Sequence, residues 1–486
     1  MATPPKAFRP KARAVRGLLD RRGADLARER RTIAAIGAVF EQWGFEPLET
    51  PALEYADALG KFLPDQDRPN AGVFAFEDDD RNWLALRYDL TAPLARFAAE
   101  HFESLPKPYR RWAAGRVWRN EKPGPGRFRE FTQCDADTVG APGPGADAEI
   151  IALACAAFQA AGLPREAFAI KISSRRLLDA LLAGVDGGAE EEERRLIILR
   201  AIDKLDRLGI EGVRLLLGSG RKDESGDFTR GAGLSPPEID QVCGFLLAGR
   251  ADRSQTIAAL AAALPASAAA EAGLQELDAI ASLLRALGVA ETNALFDPSI
   301  VRGLEYYTGP VFEAQLLARG RGEVLGSIGG GGRYDGLIAR FKGQAVPATG
   351  FSVGVSRLIA ALPEAGGASL SPVVVLVMDP ASQASAFAMA QELRAAGIAA
   401  EAFIGGAGLR AQMKYADKRA SPLVVIEGED ERASGMVTLK DLALGAALSQ
   451  QIESREAWRE DRTAQRQVKR CDLVAGVRAM LAGGAA

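Results

Sequence analysis

A single histidine, His101, stands in 486 residues. Neither a pair of histidine metal ligands nor a relay of imidazoles can be built from it, so any catalysis must run on arginines, carboxylates and bound ions. Cysteine is also scarce: Cys134, Cys155, Cys243 and Cys471 are too widely spaced for paired thiolate ligands of zinc and too few for a disulfide framework, and they read as reduced thiols. An excess of positive charge is missing. Lys and Arg number 60 against 63 Asp and Glu, a formal net charge of -3, so nucleic acid would have to be met by local basic surface rather than by bulk attraction. No apolar run approaches the roughly 20 residues of a membrane-spanning helix. The opening MATPPKAFRPKARAVRG is basic but has neither the apolar core nor the small-residue cleavage site of a secretory signal, which predicts a cytoplasmic protein.

What is present is enough apolar residue to bury several cores. With 48% hydrophobic and 25% charged residues, a chain of this length predicts two to four globular domains. Residues 24–43 place apolar side chains at helical spacing, and GFEPLETPALE then stops the helix and extends the chain. VFAFEDDDRNWLALRYDLTAPLARF reads as a hairpin with an acidic turn, running into a helix that opens near Thr91. RRWAAGRVWRNEKPGPGRFREFTQCDADTVG reads as a second hairpin around a Pro- and Gly-rich loop, and both hairpins are placed in an antiparallel sheet. From 187 to 285 the texture becomes helical, strand signals return at VRGLEYYTGPVFEAQL and after SIGGGGRYDGL, and 362–371 has linker composition. Beyond it SPVVVLVMD, IAAEAFI and PLVVIEGED alternate with helices across 383–396 and 408–419, the pattern of an α/β unit with a partly parallel sheet.

Five segments carry a recognisable chemistry in a fixed order: GFEPLETP ending at Pro51; the stretch from Arg119 through Glu121, Arg127 and Phe131; VRGLEYYTG around Arg302; GGRYDGL around Tyr334; and GFSVGVSRL with Arg357. The first, second and fifth resemble motifs 1, 2 and 3 of class II aminoacyl-tRNA synthetases, and the other two resemble the pair peculiar to the histidyl-tRNA synthetase family. The resemblance covers nearly the whole chain. It implies an α+β fold: an antiparallel class II sheet with flanking helices in two parts (1–186 and 286–361), a helical insertion (187–285), the linker (362–371) and an α/β anticodon-binding domain with a C-terminal tail (372–486). It also implies activation of L-histidine with ATP, transfer to histidine tRNA, Mg2+ and a homodimer.

Within the motifs, the resemblance gives each residue a role that suits its chemistry. Carboxylate attack on the α-phosphate gathers negative charge that fixed guanidinium groups stabilise, and Arg119 and Arg302 are the catalytic candidates, Arg302 from the histidine side. ATP is assigned to Arg119, Glu121, Arg127, Phe131 and Arg357, with adenine between the Phe131 ring and the Arg357 guanidinium. Asp89, Thr91 and Gln133 match ammonium-binding positions, and Asp137, Tyr306, Tyr307 and Tyr334 together with Arg302 complete the histidine pocket. Such a pocket rejects other amino acids by roughly 10⁴ to 10⁵ because its buried polar groups go unpaired, so no editing domain is needed. Alternation along one strand puts Phe131, Gln133 and Asp137 on one face and Cys134 on the other.

Other features have plainer readings. Arg410, Lys414, Lys418 and Arg419 make a solvated helix face or a tRNA contact. The run from Gly329 to Gly332 is usually a flexible loop; without a following Lys-Ser or Lys-Thr it is not a phosphate loop, and here it is taken as backbone allowing close approach to the histidine pocket. Two departures stand out. Lys122, Pro123 and Gly124 replace the Arg-Pro-Gln of the bacterial motif 2 loop, which contacts the acceptor end of the tRNA, and Ser356 replaces the usual Glu of motif 3, leaving the metal ligands unassigned. The rival function is a histidine-sensing paralogue such as the regulatory subunit of ATP phosphoribosyltransferase; the full set of ATP residues and the C-terminal domain oppose it.

Overall fold

The computed structural model describes residues 10–62, 72–124, 128–183, 191–222, 226–301, 307–317, 324–362, 371–449 and 464–483. Arg127, Arg302 and Tyr306, and nearly all of the 362–371 linker, therefore lie outside the described residues. The chain divides into two compact units, Met1–Pro363 and Glu364–Ala486.

The first unit opens with α1 (Gly23–Gln42), β1 (Glu46–Pro47), β2 (Leu53–Tyr55), β3 (Ala75–Glu77), β4 (Trp83–Leu86) and α2 (Thr91–Glu100). The long hairpin β5 (Tyr109–Trp118) and β6 (Glu130–Val139) follows, then α3 (Pro144–Ala160), β7 (Phe168–Ser174) and α4 (Arg175–Ala183). The next stretch contains α5 (Glu191–Ile202), α6 (Leu205–Leu217), the small hairpin β8 (Gly220–Lys222) and β9 (Phe228–Arg230), α7 (Pro236–Leu246), α8 (Arg253–Ala263) and α9 (Ala268–Ala286). The chain then returns through β10 (Ala294–Phe296), β11 (Pro310–Leu317), β12 (Val324–Arg333), α10 (Ala339–Lys342), β13 (Ala348–Gly354) and α11 (Val355–Ala361).

Eight strands form the main sheet in the order β1-β5-β6-β13-β12-β11-β7-β10. Its six central strands are antiparallel, and the two edge strands, β1 and β10, pair in parallel. The side away from the site is buried beneath helices: α3 is apolar almost all round, and Ile150, Ile151, Leu153 and Phe158 are essentially inaccessible. Phe158 meets Phe168 and Phe351 of the sheet at ring separations of 5.3 and 5.9 Å. Core residues of α5, α6 and α7, including Ile198, Leu217 and Phe245, continue the same hydrophobic cluster.

The two expected hairpins belong to different sheets. The acidic-turn hairpin, β3 and β4, joins β2 in a separate three-stranded sheet, because β4 pairs with β2 and β3 and not with the long hairpin. The Gly329–Gly332 run is not a loop: it lies in β12, paired on both sides with β11 and β13. Backbone pairing there does not need side chains, and the packing excludes them. A Cβ on Gly331 would fall 2.0 Å from the Gly350 carbonyl oxygen.

In the second unit, β14 (Val373–Val375), β15 (Ala400–Ala402), β16 (Leu423–Ile426), β17 (Met436–Asp441) and β18 (Gln465–Lys469) form a sheet in the order β15-β14-β16-β17-β18. The first three strands are parallel and the last two antiparallel. Helices Gln383–Ala395 and Leu473–Gly483 bury Met389, Leu393, Leu473 and Val477 against it. On the helix Leu409–Lys418, Gln412 is buried and bonds both the amide and the carbonyl of Val377, while Arg410, Lys414 and Lys418 are exposed. Arg419 is engaged in a two-nitrogen ion pair with Glu401.

Candidate active site

The site-facing side of the sheet is set by register. Residues directly opposite one another on neighbouring strands share a face, so Asp137, Gly350 and Gly332 form one row and Asp135, Ser352, Gly330 and Glu313 the next. Gly330 leaves that face bare where it lines the cleft, the space over Gly332 and Gly350 is taken by the Tyr307 ring and the Asp137 carboxylate, and acids and amides project from β6 and β11. The result is a cleft of about 870 Å³.

One part of its wall is made by Arg119, Glu121, Phe131, Ser356 and Arg357. Arg119 leaves the end of β5 and rests over the Phe131 ring, its guanidinium carbon 5.0 Å from the centroid, with Nε 3.4 Å from the Tyr88 carbonyl oxygen. Arg357, in the first turn of α11, is exposed and donates to the Ser327 carbonyl oxygen at 3.4 Å. The cation stacked on Phe131 in this structure is thus Arg119 rather than Arg357. Ser356 lies 3.4 Å from the Thr132 amide, and the Thr132 hydroxyl donates at 2.6 Å to Glu29 of α1, which pairs with Arg21. Lys122 and Gly124 are exposed and Pro123 half-buried in the hairpin loop beyond Glu121.

Another part of the wall is made by Tyr88, Asp89, Thr91, Gln133 and Tyr307. Asp89 sits just before α2, where its Oδ1 accepts from the amides of Thr91 (3.1 Å) and Ala92 (2.9 Å). The helix N-terminus thereby fixes the carboxylate. Gln133 donates to the Ser352 hydroxyl, and its Oε1 has no hydrogen-bond partner among the described residues.

Asp137 and Tyr334 lie behind this wall, 2% and 3% exposed, with the Tyr334 hydroxyl donating to Asp137 Oδ1. Burial pushes the Asp137 carboxyl up, against the opposing pull of Arg111 and the Tyr334 hydrogen bond. Burial also raises the Tyr307 and Tyr334 hydroxyls, with Asp137 adding to both shifts, so both remain protonated donors.

Four residues were not picked out by motif: Tyr88, Arg111, Asp135 and Glu313. Asp135 is 1% exposed, and its pKa is pushed up to about 8 by burial despite the attraction of Arg111. Its signal was available, since it alternates with Gln133 and Asp137 along β6. Arg111 requires the hairpin register and Glu313 the pairing of β11 with β12, which no local pattern supplies.

Among the described residues no group of three or more metal-binding side chains is assembled, and no helix is long and apolar enough to cross a membrane.

Residues 17–358 match the model of the histidyl-tRNA synthetase family, and residues 372–479 match that of an anticodon-binding domain. The chain is 56% identical to the histidine–tRNA ligase of Caulobacter vibrioides and 55% identical to that of Brucella ovis, over 98% of this chain and 98% and 97% of those proteins. Its fold is similar to the crystal structure of the histidyl-tRNA synthetase from Nostoc, with a TM-score of 0.74 and 28% identity over 97% of this chain and all of that one. The chain belongs to the histidyl-tRNA synthetase family.

Proposed function

We propose that the chain activates L-histidine with ATP to histidyl-adenylate and pyrophosphate, then transfers histidine to the 3′ end of histidine tRNA. The observation that carries this reading is the shared cleft: guanidinium groups and an aromatic ring suited to a nucleotide open into the same space as a helix-fixed carboxylate and an amide suited to an amino acid. Attack by the histidine carboxylate on the α-phosphate then needs no transport between sites, and proximity supplies much of the rate.

Arg119 is assigned to the α-phosphate, where its guanidinium stabilises developing charge once adenine has taken its place over the Phe131 ring. Arg302 is assigned the same task from the histidine side. Glu121 reads the adenine amino group, Phe131 and Arg357 flank the base, and Arg127 takes the terminal phosphates. Asp89, Thr91 and Gln133 bind the ammonium, while Asp137, Tyr334, Tyr307 and Tyr306 satisfy the imidazole.

Magnesium fits as an ion brought with ATP. The cleft offers Glu121 and Glu313, and magnesium takes one or two carboxylates together with phosphate oxygens and water rather than a protein cage. Bound there it would neutralise phosphate charge. Lys122, Pro123 and Gly124 are assigned to the tRNA acceptor end and the second unit to the anticodon. A homodimer is supported by exposed Leu53, Tyr55 and Phe76, which register places on one face of the three-stranded sheet. The site of action is the cytoplasm.

The test is single-turnover formation of histidyl-adenylate by wild type and Arg119→Ala. Removing one preorganised donor to developing charge costs about 10² to 10³ in rate. A variant that forms adenylate within about tenfold of wild type contradicts the role given to Arg119.

A further inference from the structure

Arg111 has no solvent exposure at all, and no step above uses it. It stands on β5 directly opposite Asp137 on β6. Its Nη2 lies 2.9 Å from Asp137 Oδ2 and donates to the Leu90 carbonyl oxygen at 2.8 Å. Leu90 is the residue between Asp89 and Thr91, at the start of α2. One nitrogen therefore ties the carboxylate assigned to the imidazole, on β6, to the turn assigned to the ammonium, at the start of α2.

The rest of the guanidinium is unspent. Nε and Nη1 find no hydrogen-bond acceptor among the described residues. One step along the same face, neither oxygen of Asp135 meets a donor at hydrogen-bonding geometry, although the Ser352 hydroxyl stands close enough to favour its ionised form. A cation buried only to hold a fold together is a poor choice, because apolar residues of similar volume do that without the desolvation cost. This one faces Asp137 and Asp135, where its charge matters to how the pocket reads a ligand. Its attraction opposes the upward push that burial gives the Asp137 carboxyl and so favours an acceptor oxygen there.

We propose that Arg111 is the positioning residue of the amino-acid pocket, holding the Asp137 carboxylate in place and, through the Leu90 carbonyl, setting the spacing between the imidazole-reading and ammonium-reading groups. The proposal rests on the assignment of Asp137 and Asp89 to the amino acid. Arg111 touches neither the nucleotide end of the cleft nor the substrate. Its loss therefore acts on histidine and spares ATP.

The experiment is steady-state pyrophosphate exchange by the full chain, with KM for histidine and for ATP measured for wild type, Arg111→Met, Arg111→Lys and Asp137→Asn. Arg111→Met should raise the histidine KM by about 100-fold or more and leave the ATP KM within threefold. Arg111→Lys keeps the charge but replaces the rigid planar guanidinium, whose Nη2 meets both partners, with a flexible ammonium, and should fall between, at about 10- to 30-fold. If Arg111→Met does not fold, the Lys variant decides by the same criterion. A histidine KM within threefold of wild type in a folded variant, or equal rises in both KM values, overturns the proposal. Asp137→Asn separates the two levels. An unchanged histidine KM in that variant overturns the pocket assignment itself, whereas a large rise there with none in the Arg111 variants overturns only the positioning role.

Discussion

Gly350→Ala changes the amino-acid pocket without altering any residue assigned to bind substrate. Gly350 sits opposite Asp137 in the register of β13 and β6, and a Cβ built on it would lie 1.9 Å from Asp137 Oδ1, 2.5 Å from its Cγ and 3.0 Å from the Ala136 carbonyl oxygen. The carboxylate must retreat by roughly an ångström or more, since real contacts of this kind stay above about 3 Å. The oxygen displaced is the one that accepts from Tyr334. Losing a hydrogen bond to a charged group costs about 1.5–3 kcal/mol, which corresponds to roughly a 10- to 150-fold rise in the histidine KM. Overpacking adds about 1–3 kcal/mol of lost stability, readable by urea unfolding. The ATP KM should not move, because Arg119, Glu121, Phe131 and Arg357 do not touch this row. A histidine KM within twofold of wild type, or a matching rise in the ATP KM, would refute the reasoning.

Asp135→Asn tests the buried acid. With its pKa pushed up to about 8, folded Asp135 keeps a proton that an unfolded aspartate, titrating near 4, has lost. Its contribution to stability is therefore full below pH 4 and lost as pH rises towards 8, by up to about 1.4 kcal/mol per unit. The stability gained by the Asn variant over wild type should grow from pH 5 to pH 8 in urea unfolding, and a constant difference would contradict the assignment. Phe131→Ala should raise the ATP KM by roughly 5- to 150-fold, the equivalent of about 1–3 kcal/mol of stacking, with little effect on the histidine KM. Since Gly124 supplies no side chain to the motif 2 loop, deleting the extra 5′ guanosine from a histidine tRNA transcript should slow charging by less than about tenfold. Collapse of charging on that deletion alone would show that another part of the chain reads the guanosine.

Local pattern was enough for elements whose chemistry repeats along the chain. Apolar spacing predicts a helix over 24–43, and the helix is Gly23–Gln42; the break before Thr91 coincides with the first residue of α2. Alternation placed Gln133 and Asp137 on one face of a strand, and Cys134 is fully buried on the other. Where the outcome depends on pairing, pattern fails. The hairpin loop fixes the partner of Arg111 only once the register is known, and a four-glycine run shows no alternation by which to recognise a central strand. The bond between Tyr334 and Asp137 joins residues 197 positions apart, so only the family motifs could bring those two together in advance. The two hairpins look alike in sequence because each obeys the same short-range rules; which sheet each enters is decided by β13 on one side and β2 on the other.

Whether this cleft joins histidine to ATP is read directly by amino-acid-dependent exchange of labelled pyrophosphate into ATP, run with histidine, with a panel of the other amino acids, and with an Arg302→Ala variant. Exchange should occur with histidine alone and be lost in the variant. Folded protein that binds histidine but supports no exchange would contradict that, and would make the cleft a sensor of histidine.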